Sequence, residues 1–448
     1  MNNYQLLRDA YFGTGGFANG AYLTKHKRES DDDYRFRCEN AYYLNYFAPI
    51  VNALVDPIFK KMPLRDYKSA MDGVIADFLQ DVDGNGTDMD TFIKRAAVMT
   101  KVYGVSFIVV DNFKDMDART MAEVQRFRQY PYLYVVGPED VQEYGIDRNG
   151  QLTFIEFREQ ESQDNGAITY RCTRFTRDGW SISGGSSGVK SAGQYTFGRV
   201  PVVPLFSRLL EQKTMRPSSD MMPIAKTAKA LYNHCSWLGE ILRNQTFPLL
   251  TIPSLDVTEL TIGNNNALGY NPNSTHEPDF IAPPSDPAKT LQEQCGMLVQ
   301  EMYRMANLSF IMGMTNQNTS GVARQWEFER TNQQLANFAA QCGRAEEAIM
   351  DLFARWLNTD IEYSVTYPDD FGVVDVGAQI ETAQAVLDLG LTSELKTEVL
   401  KRVMGAYCPD ISDERYDEIV VAQDNEQNDA DYGTMPQDSN EEDTHDKE

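Results

Sequence analysis

The sequence is poor in the residues that build metal centres and disulfide frameworks. Six cysteines in 448 residues, Cys38, Cys172, Cys235, Cys295, Cys342 and Cys408, form no CxxC or CxxxxC pair, so they read as reduced thiols, several of them in helical apolar patterns. The four histidines, His26, His234, His276 and His445, lie outside metal-ligand spacing of one another and of any cysteine except the adjacent Cys235. Neighbours on a helix point in different directions, so zinc is not expected and no cofactor is implied. No run approaches the roughly 18 apolar residues of a membrane span. Met1-Asn2-Asn3-Tyr4 does not open like a charged-then-apolar leader, and the expectation is a soluble chain made in the cytoplasm. Positive charge is also scarce. A net charge of -25 argues against tight gripping of nucleic acid, which needs clustered Lys and Arg; it does not argue against a surface past which a polyanion slides.

Hydrophobic residues at 42% and aromatics at 11% suit a folded chain long enough for more than one region. A glycine-rich opening (Gly13, Gly15, Gly16, Gly20) leads to a helical pattern from Tyr34 to Phe59, with Pro49 and Pro57 expected to break or kink it. Helices are predicted from about Ala70 to Leu79 and from Met89 to Tyr103. The period then shortens. Ser106 to Val110, Tyr132 to Val136, Leu152 to Glu159 and Ile168 to Phe175 read as strands, with turns at Arg148-Asn149-Gly150 and Arg177-Asp178-Gly179. Ser183 to Gly188 reads as a loop that continues through Val189 to Gly193. The fold class is therefore α+β, mainly helical.

Beyond Asp220 the helical stripe returns in long form: Ile224, Ala228, Leu231, Cys235, Leu238 and Leu242 share one face. Residues 247–285 are dense in Pro, Gly and Asn, with short β-like pieces at Leu249 to Ile252 and Val257 to Ile262. A second stripe, Leu291, Cys295, Leu298, Met302 and Met305, follows the Asp286-Pro287 opening. After the polar segment Ile311-Met312-Gly313-Met314-Thr315-Asn316-Gln317-Asn318-Thr319, Ser320 caps a proline-free helix to about Asn358, roughly 55 to 60 Å long. It carries Phe328, Leu335, Phe338, Cys342, Ala345, Ile349, Leu352 and Trp356 along one side. A strand from Ile361 to Tyr367 and three short helices within 378–424 precede an acidic tail. Residues 421–448 carry ten acidic side chains against one lysine and read as disordered by composition.

Several local patterns imitate catalytic or binding motifs and fail on physical grounds. Asp81-Val82-Asp83-Gly84-Asn85-Gly86 starts like a calcium loop, but position eight is Asp88 and position twelve is Phe92, where a packing residue and a bidentate Glu are required; a polar turn capping the next helix is the better reading. Gly13-Thr14-Gly15-Gly16-Phe17-Ala18 fits a dinucleotide pattern without a preceding buried strand. Gly184-Gly185-Ser186-Ser187-Gly188 spells a nucleophile elbow where the chain is expected to remain loop. No phosphate-loop motif with a GK[ST] ending occurs, and no catalytic residue is proposed.

Taken in order, these parts resemble the portal (head–tail connector) proteins of tailed bacteriophages. The likeness rests on Asn45-Tyr46-Phe47-Ala48-Pro49-Ile50-Val51-Asn52, on Gly104-Val105-Ser106-Phe107-Ile108-Val109-Val110-Asp111, on Arg199-Val200-Pro201-Val202-Val203-Pro204-Leu205, and on Ser320-Gly321-Val322-Ala323 opening the long helix. It covers roughly residues 35–420, and the order of parts carries most of it. The resemblance implies a wing at 1–220, a first stem helix at 221–246, a clip at 247–285, a second stem helix at 286–309, and a tunnel loop at 310–319. A long wing helix and strand at 320–377, a helical crown at 378–424 and the disordered tail at 425–448 would complete it. It implies a homo-oligomeric ring, in portals typically twelve copies, at one capsid vertex of a virion. Through it double-stranded DNA is packaged and ejected, with terminase large subunit, major capsid and scaffolding proteins, and tail or adaptor proteins as partners. Ile311 to Thr319 would be the loop touching DNA. Ile224, Leu231, Leu238, Leu242, Leu291, Leu298, Met302 and Met305 would pack subunits together in the stem, because two striped helices flanking one small module need something to bury them. The rival readings are another head–tail adaptor or tail ring protein, and a nucleic-acid-processing enzyme.

Overall fold

The computed structural model describes residues 4–68, 72–112, 120–162, 168–184, 187–208, 214–246, 249–253, 267–271, 273, 277–281, 284–308, 321–371 and 415. Met1–Phe371 forms one compact unit and Gly372–Glu448 a second. Apart from Arg415, the helices expected within 378–424, the acidic tail, the strand expected at Val257 to Ile262 and the segment Ile311 to Thr319 lie outside the described residues.

The glycine-rich opening contains a helix that the sequence reading missed, α1 (Tyr4–Phe12), before a short 3-10 turn at Gly15–Phe17. The single helical pattern expected from Tyr34 to Phe59 is instead three pieces: α2 (Asp31–Asn40), α3 (Phe47–Ala53) and a 3-10 turn at Asp56–Phe59. The prolines begin these pieces rather than kink a longer helix. Pro49 lies in the first turn of α3 and Pro57 in the first turn of the 3-10 segment, where a missing N–H costs nothing. Asn45 holds the entry, its Oδ1 accepting from the Ala48 amide at 3.0 Å while its Nδ2 donates to the Tyr11 carbonyl.

Next come β1 (Leu64–Lys68), α4 (Asp72–Gln80) and α5 (Met89–Tyr103). The calcium-like loop is a turn: the Asp81 carboxylate accepts from the Gly84 and Gly86 amides and from Arg128. Asp88 then caps α5 by accepting from Thr91 N. Gly104 ends α5 at φ +90°, and an added Cβ there would lie 3.1 Å from Ser219 Cα, so glycine is required both for the left-handed turn and for the close approach.

The centre is a three-stranded sheet, β2 (Val105–Asp111) flanked by β3 (Tyr132–Val136) and β9 (Val202–Phe206), all antiparallel; α6 (Met121–Arg126) lies between β2 and β3. Successive side chains on β2 serve different layers, as a period of two demands. Ile108 and Val110 join a core built from α4, α5, β1 and α9, whereas Val105, Phe107 and Val109 join one built against a five-stranded sheet. That sheet is an antiparallel meander of β4 (Val141–Ile146), β5 (Leu152–Ser162), β6 (Ile168–Thr176), β7 (Gly179–Gly184) and β8 (Ser187–Gln194). Strand β8 corrects the expectation that Val189 to Gly193 continue as loop. It pairs antiparallel with β7 at the sheet's edge, where backbone bonds suffice and no apolar alternation marks it.

Three further helices and four strands complete the unit: α7 (Met222–Thr246), β10 (Leu249–Pro253), β11 (Ala267–Tyr270), β12 (Phe280–Ile281), α8 (Asp286–Met305), α9 (Gly321–Trp356) and β13 (Glu362–Thr366). Leu335, Phe338, Cys342, Ala345, Ile349 and Leu352 of α9 are buried on the face the stripe predicts. Trp356 donates its indole N–H to the Val110 carbonyl at 2.9 Å, fixing the helix end to the central sheet. Beneath α9, the fully buried Glu346 carboxylate accepts from Arg65 of β1 and from the Tyr363 and Tyr367 hydroxyls. It thus joins α9 to the antiparallel β1–β13 pair.

Candidate functional site: a helix pair carrying a small sheet

Helices α7 and α8 form an antiparallel pair. Gln245 Nε2, at the end of α7, donates to the Pro284 carbonyl just before α8 at 2.8 Å, and the Cys235 and Cys295 thiols lie near enough midway to influence each other. The base of the pair is clamped into the body. Ile224, Ala228, Leu231, Cys235, Val299 and Met302 share a buried cluster with Leu7 of α1 and Phe47, Ile50 and Val51 of α3. Polar contacts close it. Asn233 accepts from Thr24 N at 2.8 Å and donates to the Tyr22 carbonyl at 3.0 Å. The buried Arg37 guanidinium donates to Ser236 Oγ and to both Glu29 carboxylate oxygens, so α2 is locked over α7. Burial drives the Cys235 thiol up to about 12, which keeps it protonated and unreactive. All five described cysteines are free thiols, and Cys408 lies outside the described residues.

Past Cys235 the pair leaves the core. On α7, Leu238 is half-buried, Trp237 is on the surface and Leu242 is 49% exposed; on α8, Leu291 is half-buried, and nearer the base Met297 turns outward at 47% exposure. The strands between the helices make a three-stranded sheet in the order β11-β10-β12, β10 running parallel to β11 and antiparallel to β12. Thr251 pins it: its amide and hydroxyl both donate to the Asp279 carbonyl, and the Asp279 amide donates to its Oγ1. The short edge strand exposes both of its side chains, Phe280 at 62% and Ile281 at 51%.

The stem residues inferred from sequence therefore divide. Ile224, Leu231 and Met302 are buried within the chain's own core, and Leu298 packs against it, so intramolecular packing covers them and the need for a neighbouring copy does not arise there. Leu238 and Leu291 are half-buried, while Leu242 and Met305 are surface residues. Trp237, Phe280, Ile281 and Met297 were missed. Their signal was present as apolar residues off the main stripes and in the Pro-Gly-Asn-rich segment, but only the folded chain shows that they lie at the surface.

With this geometry in view, comparison with known proteins finds no matching family model and no matching curated protein. Among solved structures the chain is similar to three chains of gene transfer agent particles. One, from the neck of an empty particle computed with C6 symmetry, gives a TM-score of 0.45 at 10% identity, covering 79% of this chain and 90% of that one. Another, from the virion of a native particle, gives 0.45 at 11% identity over 89% and 93%. The third, from the neck of a native particle computed with C12 symmetry, gives 0.42 at 11% identity over 79% and 88%.

Among the described residues no group of His, Cys, Asp and Glu side chains could hold a metal ion, and no helix is long and apolar enough to cross a membrane. What the site offers is a surface for contact: a rigidly rooted helix pair whose outer part and small sheet present apolar side chains to solvent.

Proposed function

We propose that the chain is a portal-type subunit of a tailed-phage-like particle, assembling into a closed ring around a DNA channel at one capsid vertex. The observation that carries this reading is the antiparallel pair α7–α8, rooted in the body, carrying an apolar-faced sheet at its outer end and followed in sequence by the 36-residue α9. In this reading α7 and α8 are the stem and the small sheet is the clip. The clip presents Phe280 and Ile281 to the packaging motor and later to tail or adaptor proteins, while Leu242 and its neighbours meet the next copy. A ring needs the same patch-to-patch contact repeated and closed. The role is mechanical and needs no catalytic centre.

Electron microscopy and analytical ultracentrifugation of the purified protein over a broad concentration range test this. Closed rings with a central opening are expected. Monomers or open chains throughout, in solution and in particles, overturn it. Residues 311–319 are assigned in the same reading to a loop touching passing DNA, because they contain no Lys or Arg and would not arrest a sliding phosphate backbone. Replacing Thr315 to Asn318 by arginines is expected to leave rings intact and to slow packaging or ejection most at low salt. Normal packaging by such rings at low salt removes the assignment.

A further inference from the structure

A cleft of about 1060 Å³ lies at the foot of the helix pair, where the start of α7, the end of α8 and the middle of α9 converge. Four cationic side chains, Lys101, Arg208, Lys226 and Arg330, line it against a single carboxylate, Asp220, in a chain whose net charge is -25. Only Arg208 is paired with that carboxylate, at 3.2 Å. Lys226 and Arg330 form no ion pair among the described residues.

Lys101 is the decisive member. It comes from α5, is 2% exposed, and holds its ammonium 4.6 Å from the centre of the Phe338 ring. Among the described residues it makes no hydrogen bond and no ion pair. Burial pushes its amine below the ordinary lysine value, with Asp220 opposing. A buried ammonium without a hydrogen-bonded anion is costly to keep; this one, with none among the described residues, lines the cleft. The rest of the wall adds neutral donors such as Ser218, Asn337 and Gln341, and the positive end of the 25-residue α7 dipole lies at the same place.

We propose that this cleft binds a multiply charged phosphate group. Cations with no ion pair among the described residues, beside hydroxyl and amide donors, match an anion that carries about two charges and three strong acceptor oxygens, and a phosphate on Lys101 would add a hydrogen-bonded anion to the pull of Asp220. The inference concerns a single copy of the chain and stands apart from ring formation.

The test is calorimetric titration of the full chain with pyrophosphate, with a short DNA duplex, and with citrate as a carboxylate control. Pyrophosphate is expected to bind, and Lys101→Met to weaken binding by about tenfold or more, as loss of a charge-assisted bond does. The paired surface variant Lys226→Gln with Arg330→Gln is expected to weaken it as well while leaving thermal unfolding unchanged, and it decides the question if Lys101→Met does not fold. Pyrophosphate binding without duplex binding assigns the site to a free phosphate compound. Duplex binding without pyrophosphate binding also overturns the proposal, because each backbone phosphodiester carries one charge and two free oxygens. No binding of either, equal binding of citrate, or binding indifferent to all three substitutions overturns the proposal.

Discussion

The body and the outer helix pair use similar side chains to opposite ends. In the body, Phe353 is fully buried, with its ring centroid 4.4 Å from that of Phe78 and 6.3 Å from that of Tyr130, and apolar residues on both faces of β2 are covered. Along the outer part of α7 and on β12, residues of the same kind face water: Leu242, Phe280 and Ile281. The body also exposes apolar side chains, among them Phe12, Met62 and Leu64, but those of the outer pair are grouped on one small sheet and the helix ends that carry it, and such grouping marks a contact surface. The contrast teaches that packing a core and presenting a contact surface are separate demands, and along α7 they divide close to Cys235.

That division predicts a sharp difference in response to substitution. Phe353→Ala is expected to destabilise the chain by about 3–5 kcal/mol, the range for emptying a large aromatic from a core, measured by denaturant unfolding. A loss below 1 kcal/mol would mean that the body is as loosely packed as the outer pair.

A smaller, pH-dependent effect is expected at the clamp between the two regions. The hydrogen bonds from Arg37 hold the Glu29 carboxyl below its ordinary value, against the opposing effect of burial. A lowered folded-state value gives stability that is present above the unfolded glutamate value, about 4.3, and is lost as pH falls through the folded one. Thermal unfolding followed from pH 6 to pH 3 should therefore be less steep in Glu29→Gln than in the parent. Identical slopes would remove Glu29 as a pH-sensitive part of the clamp.

Smallest in stability is the pair Phe280→Ser with Ile281→Ser, expected to shift unfolding by no more than about 0.5 kcal/mol, as for surface positions generally. Its effect belongs to association: docking of partners at the small sheet should weaken while the monomer's melting curve stays in place. A large loss of monomer stability would show that these residues serve the chain's own fold.

The long stripes made α7, α8 and α9 legible, because a helix buried along one side repeats its apolar residues at a fixed interval. The strands β2, β3, β5 and β6 were legible from β-branched and aromatic runs between turn residues. Strand β1 was not. Leu64-Arg65-Asp66-Tyr67-Lys68 is mostly polar, and its partner, β13, lies roughly 300 residues away, a distance over which no local pattern extends. Strand β8 was missed for a related reason, since an edge strand of Ser, Gly and Lys is held by its backbone. At the site, the stripes showed which faces are apolar but not who covers them. That depended on α1 and α3, which pack against the base of the pair and claim Ile224 and Leu231. Lys101 was invisible as a site residue because its cleft is assembled from α5, α7, α8 and α9 together.

The pairing of β1 with β13 also sets a timetable. When Lys68 leaves the ribosome, its partner strand is still roughly 300 residues from being made; at about 5–20 residues per second that is some 15–60 s of synthesis. Glu346, which binds Arg65, arrives almost as late. Throughout that interval β1 is an unmatched edge, and its charged residues Arg65, Asp66 and Lys68 are the kind that discourage pairing with a wrong strand. A nascent chain stalled between α8 and α9 should thus carry a formed helix pair on an unfinished body, a state open to chaperones and proteases until the last strand closes it.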